Sequence, residues 1–293
     1  ALITVFAGAV APRRKRSLAM SRLPTLFVSH GAPSFAREPG RAGPLLAALG
    51  RALPRPAAVL MVSPHWSTPS PRAATSVRPR TIHDFGGFDP ALYEIHYPAT
   101  GHPQLASRAV ELLRAAGWAA EADANRGLDH GAWVPLTYLY PQADVPVFQV
   151  SMPSRLDANR AYAFGQALAP LAAEGVLVIG SGSLTHNLYE YRGDGPPEPY
   201  AAAFAAWIRR AITAGDRNLL LRTLETAPDA RRAHPTPEHF WPLLIAVGAA
   251  AEPSPATVLE GGIEHGILAM DSYVFGGAID LELSAITATG TEA

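Results

Sequence analysis

Apolar runs of strand length alternate along this chain with segments of helical periodicity. Leu23-Pro-Thr-Leu-Phe-Val-Ser29, Ala57-Ala-Val-Leu-Met-Val-Ser63, Val145-Pro-Val-Phe-Gln-Val-Ser151 and Gly175-Val-Leu-Val-Ile-Gly180 have the length and near-continuous hydrophobicity of strands buried on both faces. Pro146 lacks an N–H for a sheet ladder, which predicts a strand start or an edge position for the third run. Residues 43–53, 102–116, 158–174, 199–214 and 238–250 read as helices, with Asp157 placed to cap one and Gly117 to stop another. The proline- and arginine-rich stretch 69–79 reads as loop. Strand–helix alternation of this kind predicts an α/β fold. One domain is expected, with a central, mostly parallel sheet covered by helices on both faces.

Composition narrows the function. Of 293 residues, 48% are apolar and 17% charged, enough for a substantial core. A net charge of -1 supplies no broad basic face, which argues against a nucleic-acid partner. The chain has no cysteine, so metal ligation, if present, falls to His, Asp and Glu. Residues 1–10 are apolar and Arg13-Arg-Lys-Arg16 is basic, the reverse of signal-peptide order. Met20 reads as a natural start. Residues 1–19 are therefore expected to be an extension, with a short membrane-surface anchor as the alternative, and 20–293 the catalytic domain. No segment reaches transmembrane length. A soluble, cytoplasmic protein without membrane contact is expected; no pattern in the chain fixes its oligomeric state.

The chemistry points to histidine. The first apolar run leads into His30-Gly31 and the second into Pro64-His65-Trp66. In an open parallel sheet, ligands bind beyond the carboxyl ends of the strands, so two imidazoles delivered there read as metal ligands. Six of the ten histidines fall in loop-like contexts: His30, His65, His83, His130, His186 and His239. Asp129 either orients its neighbour His130 or faces solvent. Gly180-Ser-Gly-Ser183 reads as a tight turn bringing His186 to the sheet edge. Glu238 is the one carboxylate able to replace His239 as a ligand; otherwise it is a first-turn glutamate. His83 reads equally as a substrate contact or a loop staple, and His96, His102, His234 and His265 as ordinary hydrogen-bonded or solvent-facing residues. Trp66, Trp133 and Trp241 lie close in sequence to candidate histidines and either wall an aromatic pocket or pack in the core. Nucleophile-elbow, Walker and dinucleotide motifs are absent.

Ser29-His-Gly31, Ser63-Pro-His-Trp66, Thr81-Ile-His-Asp-Phe-Gly-Gly-Phe88, Leu92-Tyr93, Tyr97-Pro-Ala99, Leu128-Asp-His-Gly131, Thr185-His-Asn187 and Pro235-Thr-Pro-Glu-His239 occur in this order. Together they resemble the 4,5-DOPA dioxygenase family of class III extradiol ring-opening enzymes, over nearly all of the chain after residue 22. The resemblance implies that His30, His65 and His239 hold one divalent metal ion. It makes His186 the acid–base or a fourth ligand and puts His130 in the substrate pocket. His83, Trp66 and Trp133 are expected to contact substrate. The implied reaction joins dioxygen to a catechol and needs Fe(II). A three-histidine set also suits Zn(II), which has no redox chemistry. A zinc-dependent hydrolase and a non-catalytic metal-binding scaffold are the alternatives. Should the catechol carry a carboxylate, Arg72, Arg78, Arg80 and Arg126 are available, and nothing in the sequence selects one.

Overall fold

The four apolar runs become the parallel part of the central sheet in the computed structural model, which describes residues 22–193, 195–250, 256–277, 279 and 281. They are β1 (Thr25–Ser29), β2 (Ala58–Val62), β3 (Val147–Gln149) and β4 (Val176–Gly182), joined by β5 (Thr257–Leu259) and β6 (Ser272–Phe275). The strand order is β3-β2-β4-β1-β6-β5. Pairs β3·β2, β2·β4 and β4·β1 are parallel, whereas β6 runs antiparallel to both β1 and β5. β3 lies at the edge, where Pro146 costs no ladder bond. The expectation for residues 1–19 lies outside the described residues.

Helices α1 (Ala42–Ala52), α2 (Pro103–Ala115), α3 (His130–Leu139), α4 (Ala158–Leu168), α5 (Pro199–Thr213) and α6 (Trp241–Ala249) complete the frame. Three differ from expectation. The helix expected over 158–174 breaks at Ala169, because Pro170 starts a separate turn. The helix expected from 238 starts at Trp241, which leaves Glu238 and His239 in the turn before it. α3 was not expected at all. Asp129 caps it by accepting from the N–H of Ala132, and its interior holds Pro135. The stretch read as loop also carries a short strand, Arg72–Ala74, paired with Glu121–Asp123. Among the described residues, no helix is long and apolar enough to cross a membrane.

β4 organises both faces. Gly180 and Gly182 face α6 so closely that a Cβ at either would overlap backbone, Pro242 O at the first and His239 O at the second. Ser181, between them, points to the other face and donates to Gly131 O of α3. α6 is therefore clamped between the sheet and α4, and all nine of its residues are buried. Val59, Leu60, Val178 and Ile179 are fully buried in the strands. Burial of each such side chain contributes about 1.5–3 kcal/mol. The close approach of α6 is what delivers His239 to the end of β4.

Candidate metal centre

β1, β2 and β4 are neighbours and parallel, so their carboxyl ends open on one edge. His30 follows β1 directly, and its N–H donates to Gly182 O of β4 (2.9 Å). His65 follows β2 through a turn in which Ser63 Oγ accepts from the His65 N–H (3.2 Å). His239 arrives from the third direction, its carbonyl accepting from the Ser183 N–H (3.0 Å).

Outer partners fix the tautomers of two of the rings. The Ser181 hydroxyl spends its one proton on Gly131 O, so it accepts from His30 Nδ1–H at 3.0 Å. His65 Nδ1 is 3.5 Å from Asp84 Oδ2, and His239 Nδ1 is 3.1 Å from Glu238 Oε1. With Nδ1 the donor in His30 and His239, their Nε2 atoms carry lone pairs, whereas His65 Nδ1 makes no hydrogen bond to Asp84 at that distance. His30 Nε2 and His65 Nε2 face each other at 3.2 Å, and His239 Nε2 is buried without a partner. Burial, followed by the neighbouring imidazoles, holds His30 and His239 well below the ordinary imidazole pKa. Burial, then His130, lowers His65 to about 4, against the opposing pull of Asp129 and Asp84. Three neutral imidazoles, with ligand atoms within 4.8 Å of one another, fit one divalent cation.

Two further histidines flank this set. The His186 ring lies parallel on that of His239, with centroids 3.5 Å apart at 8°. His130 opens α3; its N–H donates to Asp84 Oδ1 (2.9 Å), its Nδ1 lies 3.1 Å from Oδ2, and its ring is centred 3.9 Å from that of His65. Burial works to raise the Asp84 pKa, but the hydrogen bonds and charge of His130 pull it down to about 2. Asp84 thus grips His130 and His65 together. The sequence reading missed it, although it is the sole carboxylate of the Thr81–Phe88 motif. Ser181, also missed, had a weaker signal: a hydroxyl at the end of an otherwise apolar strand.

His30, His65, His130, His186 and His239 all line one cavity of about 480 Å³. His83, Trp66 and Trp133 do not. His83 Nε2 donates to Ile95 O (2.9 Å), which is the loop-staple role. Trp133 is fully buried, and its indole N–H donates to Ile82 O (3.0 Å). Trp66 and His83 border a separate open cleft of about 660 Å³, where the Arg126 guanidinium lies 5.0 Å from the Trp66 ring. Glu238 holds His239 from outside and accepts from Thr236 Oγ1 (2.9 Å). His234 Nε2 donates to Leu184 O (2.9 Å), an ordinary buried histidine.

An α/β sheet whose carboxyl edge gathers three imidazoles, with two more in the same cavity, makes a histidine-rich candidate metal site. The chain belongs to the family of the catalytic LigB subunit of aromatic ring-opening dioxygenases, whose model matches residues 44–276. It is 43% identical over 257 residues to a 4,5-DOPA dioxygenase extradiol of Beta vulgaris, covering 86% of this chain and 96% of that one. With the 4,5-DOPA dioxygenase extradiol of Escherichia coli K12 it shares 38% identity over 264 residues, 88% of this chain and 97% of that one. The crystal structure of an uncharacterized E. coli K12 protein superposes with a TM-score of 0.71 at 34% identity, covering 87% of this chain and 100% of that one. The chain is a non-haem, metal-dependent aromatic ring-opening dioxygenase.

Proposed function

We propose that this enzyme opens the ring of a catechol beside one hydroxyl-bearing carbon, with His30, His65 and His239 holding a single Fe(II). The observation that carries the reading is the convergence of three buried or half-buried imidazoles on one cavity, His30 and His239 each fixed by an outer hydrogen-bond partner. When bound there, iron supplies the redox chemistry that joins dioxygen to an electron-rich diol. Zinc fits the same ligands and supplies none.

The remaining residues handle binding and protons. His130 keeps Nδ1 toward Asp84, so its Nε2 faces the cavity as a base for a catechol hydroxyl. His186 is our assignment for the acid–base that returns a proton as the ring opens. Its ring nitrogen lies with Glu238 and His239 in a second group able to hold a metal ion, outside the His30–His65–His239 set, and acid–base is the role we assign it. Burial lowers its pKa, with Glu238 opposing, so it is neutral and able to accept at neutral pH. The aromatic walls of the cavity hold the ring between these two imidazoles and keep out bulk water.

The test is anaerobic loading of metal-free protein with Fe(II), followed by a catechol panel including L-DOPA, then air. Stoichiometric oxygen uptake with a new yellow chromophore, absent with Zn(II), is expected. No uptake by any catechol despite bound iron would sink the reading and leave the zinc hydrolase or the scaffold.

A further inference from the structure

Asp129, one residue before His130, is a fully buried carboxylate gripped by several donors. Its Oδ1 accepts from the Ala132 N–H in the first turn of α3 (3.2 Å). Its Oδ2 accepts from Gln149 Nε2 and from Arg126 Nη2, each at 2.8 Å. Gln149, buried at the end of β3, also takes the Asp129 N–H on its Oε1 (2.9 Å).

Arg126 carries this network to the turn after β2. The same Nη2 atom donates to the carbonyl of His65 (3.2 Å), and the guanidinium lies 5.0 Å from the centroid of the Trp66 ring. The Arg126 N–H is itself fixed by Asp123 Oδ1 (3.0 Å). One guanidinium nitrogen thus ties the backbone of His65 to the helix start that carries His130. The two rings are centred 3.9 Å apart, and Asp84 lies 3.5 and 3.1 Å from their Nδ1 atoms. Asp84 meets the rings, whereas the Arg126–Asp129 pair fixes the backbone that carries them.

Stability alone is a weak reason for such a pair. Buried ion pairs seldom outweigh apolar packing of the same volume, and Arg126 Nε is buried without a hydrogen-bond partner. Direction is what the pair supplies. A carboxylate accepts at both oxygens. An amide at position 129 could not match it, since whichever way it turned an N–H would face a donor. We propose that Arg126 and Asp129 are positioning residues that hold His65 and His130 in register and through them set metal affinity and turnover. The inference rests on the reading of His65 as a ligand and His130 as the base, and adds what fixes their spacing.

Arg126→Met removes the donor and keeps an apolar stem, whereas Arg126→Lys keeps a cation on a flexible one. Because Arg126→Met leaves the Asp129 charge buried alone, the double variant Arg126→Met/Asp129→Asn, which removes both charges, is measured beside it. Zn(II) affinity of the metal-free proteins, by competition with a chromophoric chelator, reads the ligand side. Oxygen uptake with the best-used catechol of the panel, expressed per bound iron, reads His130, and Tm reads stability. Arg126→Met and the double variant are expected to bind zinc about tenfold more weakly and to lose about tenfold in kcat per bound iron, with KM within about twofold. Arg126→Lys is expected to recover most of both losses. Zinc affinity and kcat per bound iron unchanged in the first two variants, whatever the fall in Tm, would make the pair a folding element and overturn the proposal. If the unmodified iron-loaded enzyme cleaves no catechol, ring opening fails, and the zinc affinities of the variants still decide the role of the pair.

Discussion

His30 and His239 have their Nδ1 bound outward, by Ser181 and Glu238, so side-chain identity and tautomer are specified by different residues. His186 differs: it lies flat on His239 and is not grouped with His30 and His65. His186→Ala is therefore expected to lower kcat by ~10²-fold or more while iron content stays near one per chain. Metal analysis beside single-turnover kinetics checks this, and iron lost in step with activity would make His186 a ligand. The histidines were legible in sequence because each stands just beyond an apolar run or in a proline-marked turn. Their partners were not. Ser181 reaches His30 across 151 positions and Asp84 reaches His130 across 46, contacts that only the folded sheet creates. His83 and Trp133, close in sequence to the site, give their ring N–H groups to the backbone carbonyls of Ile95 and Ile82.

The parallel strands could be read because both of their faces are covered and their apolar runs are unbroken. β5 and β6 escaped notice as short segments close to a glycine-rich stretch, with no length to distinguish them. α3 was hidden by Gly131 and Pro135, which argue against a helix. The structure uses that irregularity. Pro135 has no N–H to give the carbonyl four residues back, so Gly131 O is free to receive Ser181, which in turn orients His30. On the opposite face the glycines of β4 do the positioning. Gly180→Ala and Gly182→Ala both push a methyl group into the backbone of the α6 region, and each is expected to cost about 1–3 kcal/mol of stability. Only the second displaces His239. Thermal melts with Zn(II) titration of the folded protein separate them: Gly182→Ala should lose metal affinity beyond its loss of Tm, and Gly180→Ala should not. Equal affinities would mean that the strand contact does not set the position of His239.

At the scale of the molecule, buried imidazoles and the carboxyls of Glu264 and Asp271 give stability opposite slopes with pH. His30, His65, His186 and His239 are held neutral by burial, with folded pKa values below the unfolded value of about 6.5. Below that pH the unfolded chain takes up protons that the folded one refuses. Their contribution is therefore complete above pH 6.5 and is lost as pH falls through 6.5 toward 4. Glu264 acts the other way. It belongs to the short hairpin of Ile263–Glu264 with Leu268–Ala269 that brings Leu268 to the cavity wall. Its Oε1 is buried without a hydrogen-bond partner. Burial, and after it the charge of Glu38, pushes its pKa up to about 7. The folded state thus keeps a proton that the unfolded chain releases near 4.5, and this contribution is lost as pH rises through 7. With His234, also lowered to about 4 by burial, five imidazoles outweigh the two carboxyls raised by burial, Glu264 and Asp271. The Tm of metal-free protein should therefore climb from about pH 4.5 to about 6.5 and then decline slightly to about pH 8. Glu264→Gln should abolish the decline and leave the acid limb in place. The difference at pH 8 is on the order of 1 kcal/mol after allowing for solvent screening of a half-buried group, or about 2 °C. Loading the centre should raise Tm most above pH 6.5 and progressively less in acid, because protons and metal compete for the same Nε2 lone pairs. Calorimetric scans of both proteins, with and without Zn(II), measure all three effects. Superimposable curves for the two metal-free proteins above pH 6.5 would remove Glu264 from the account, and a zinc shift constant down to pH 4.5 would remove the histidine centre.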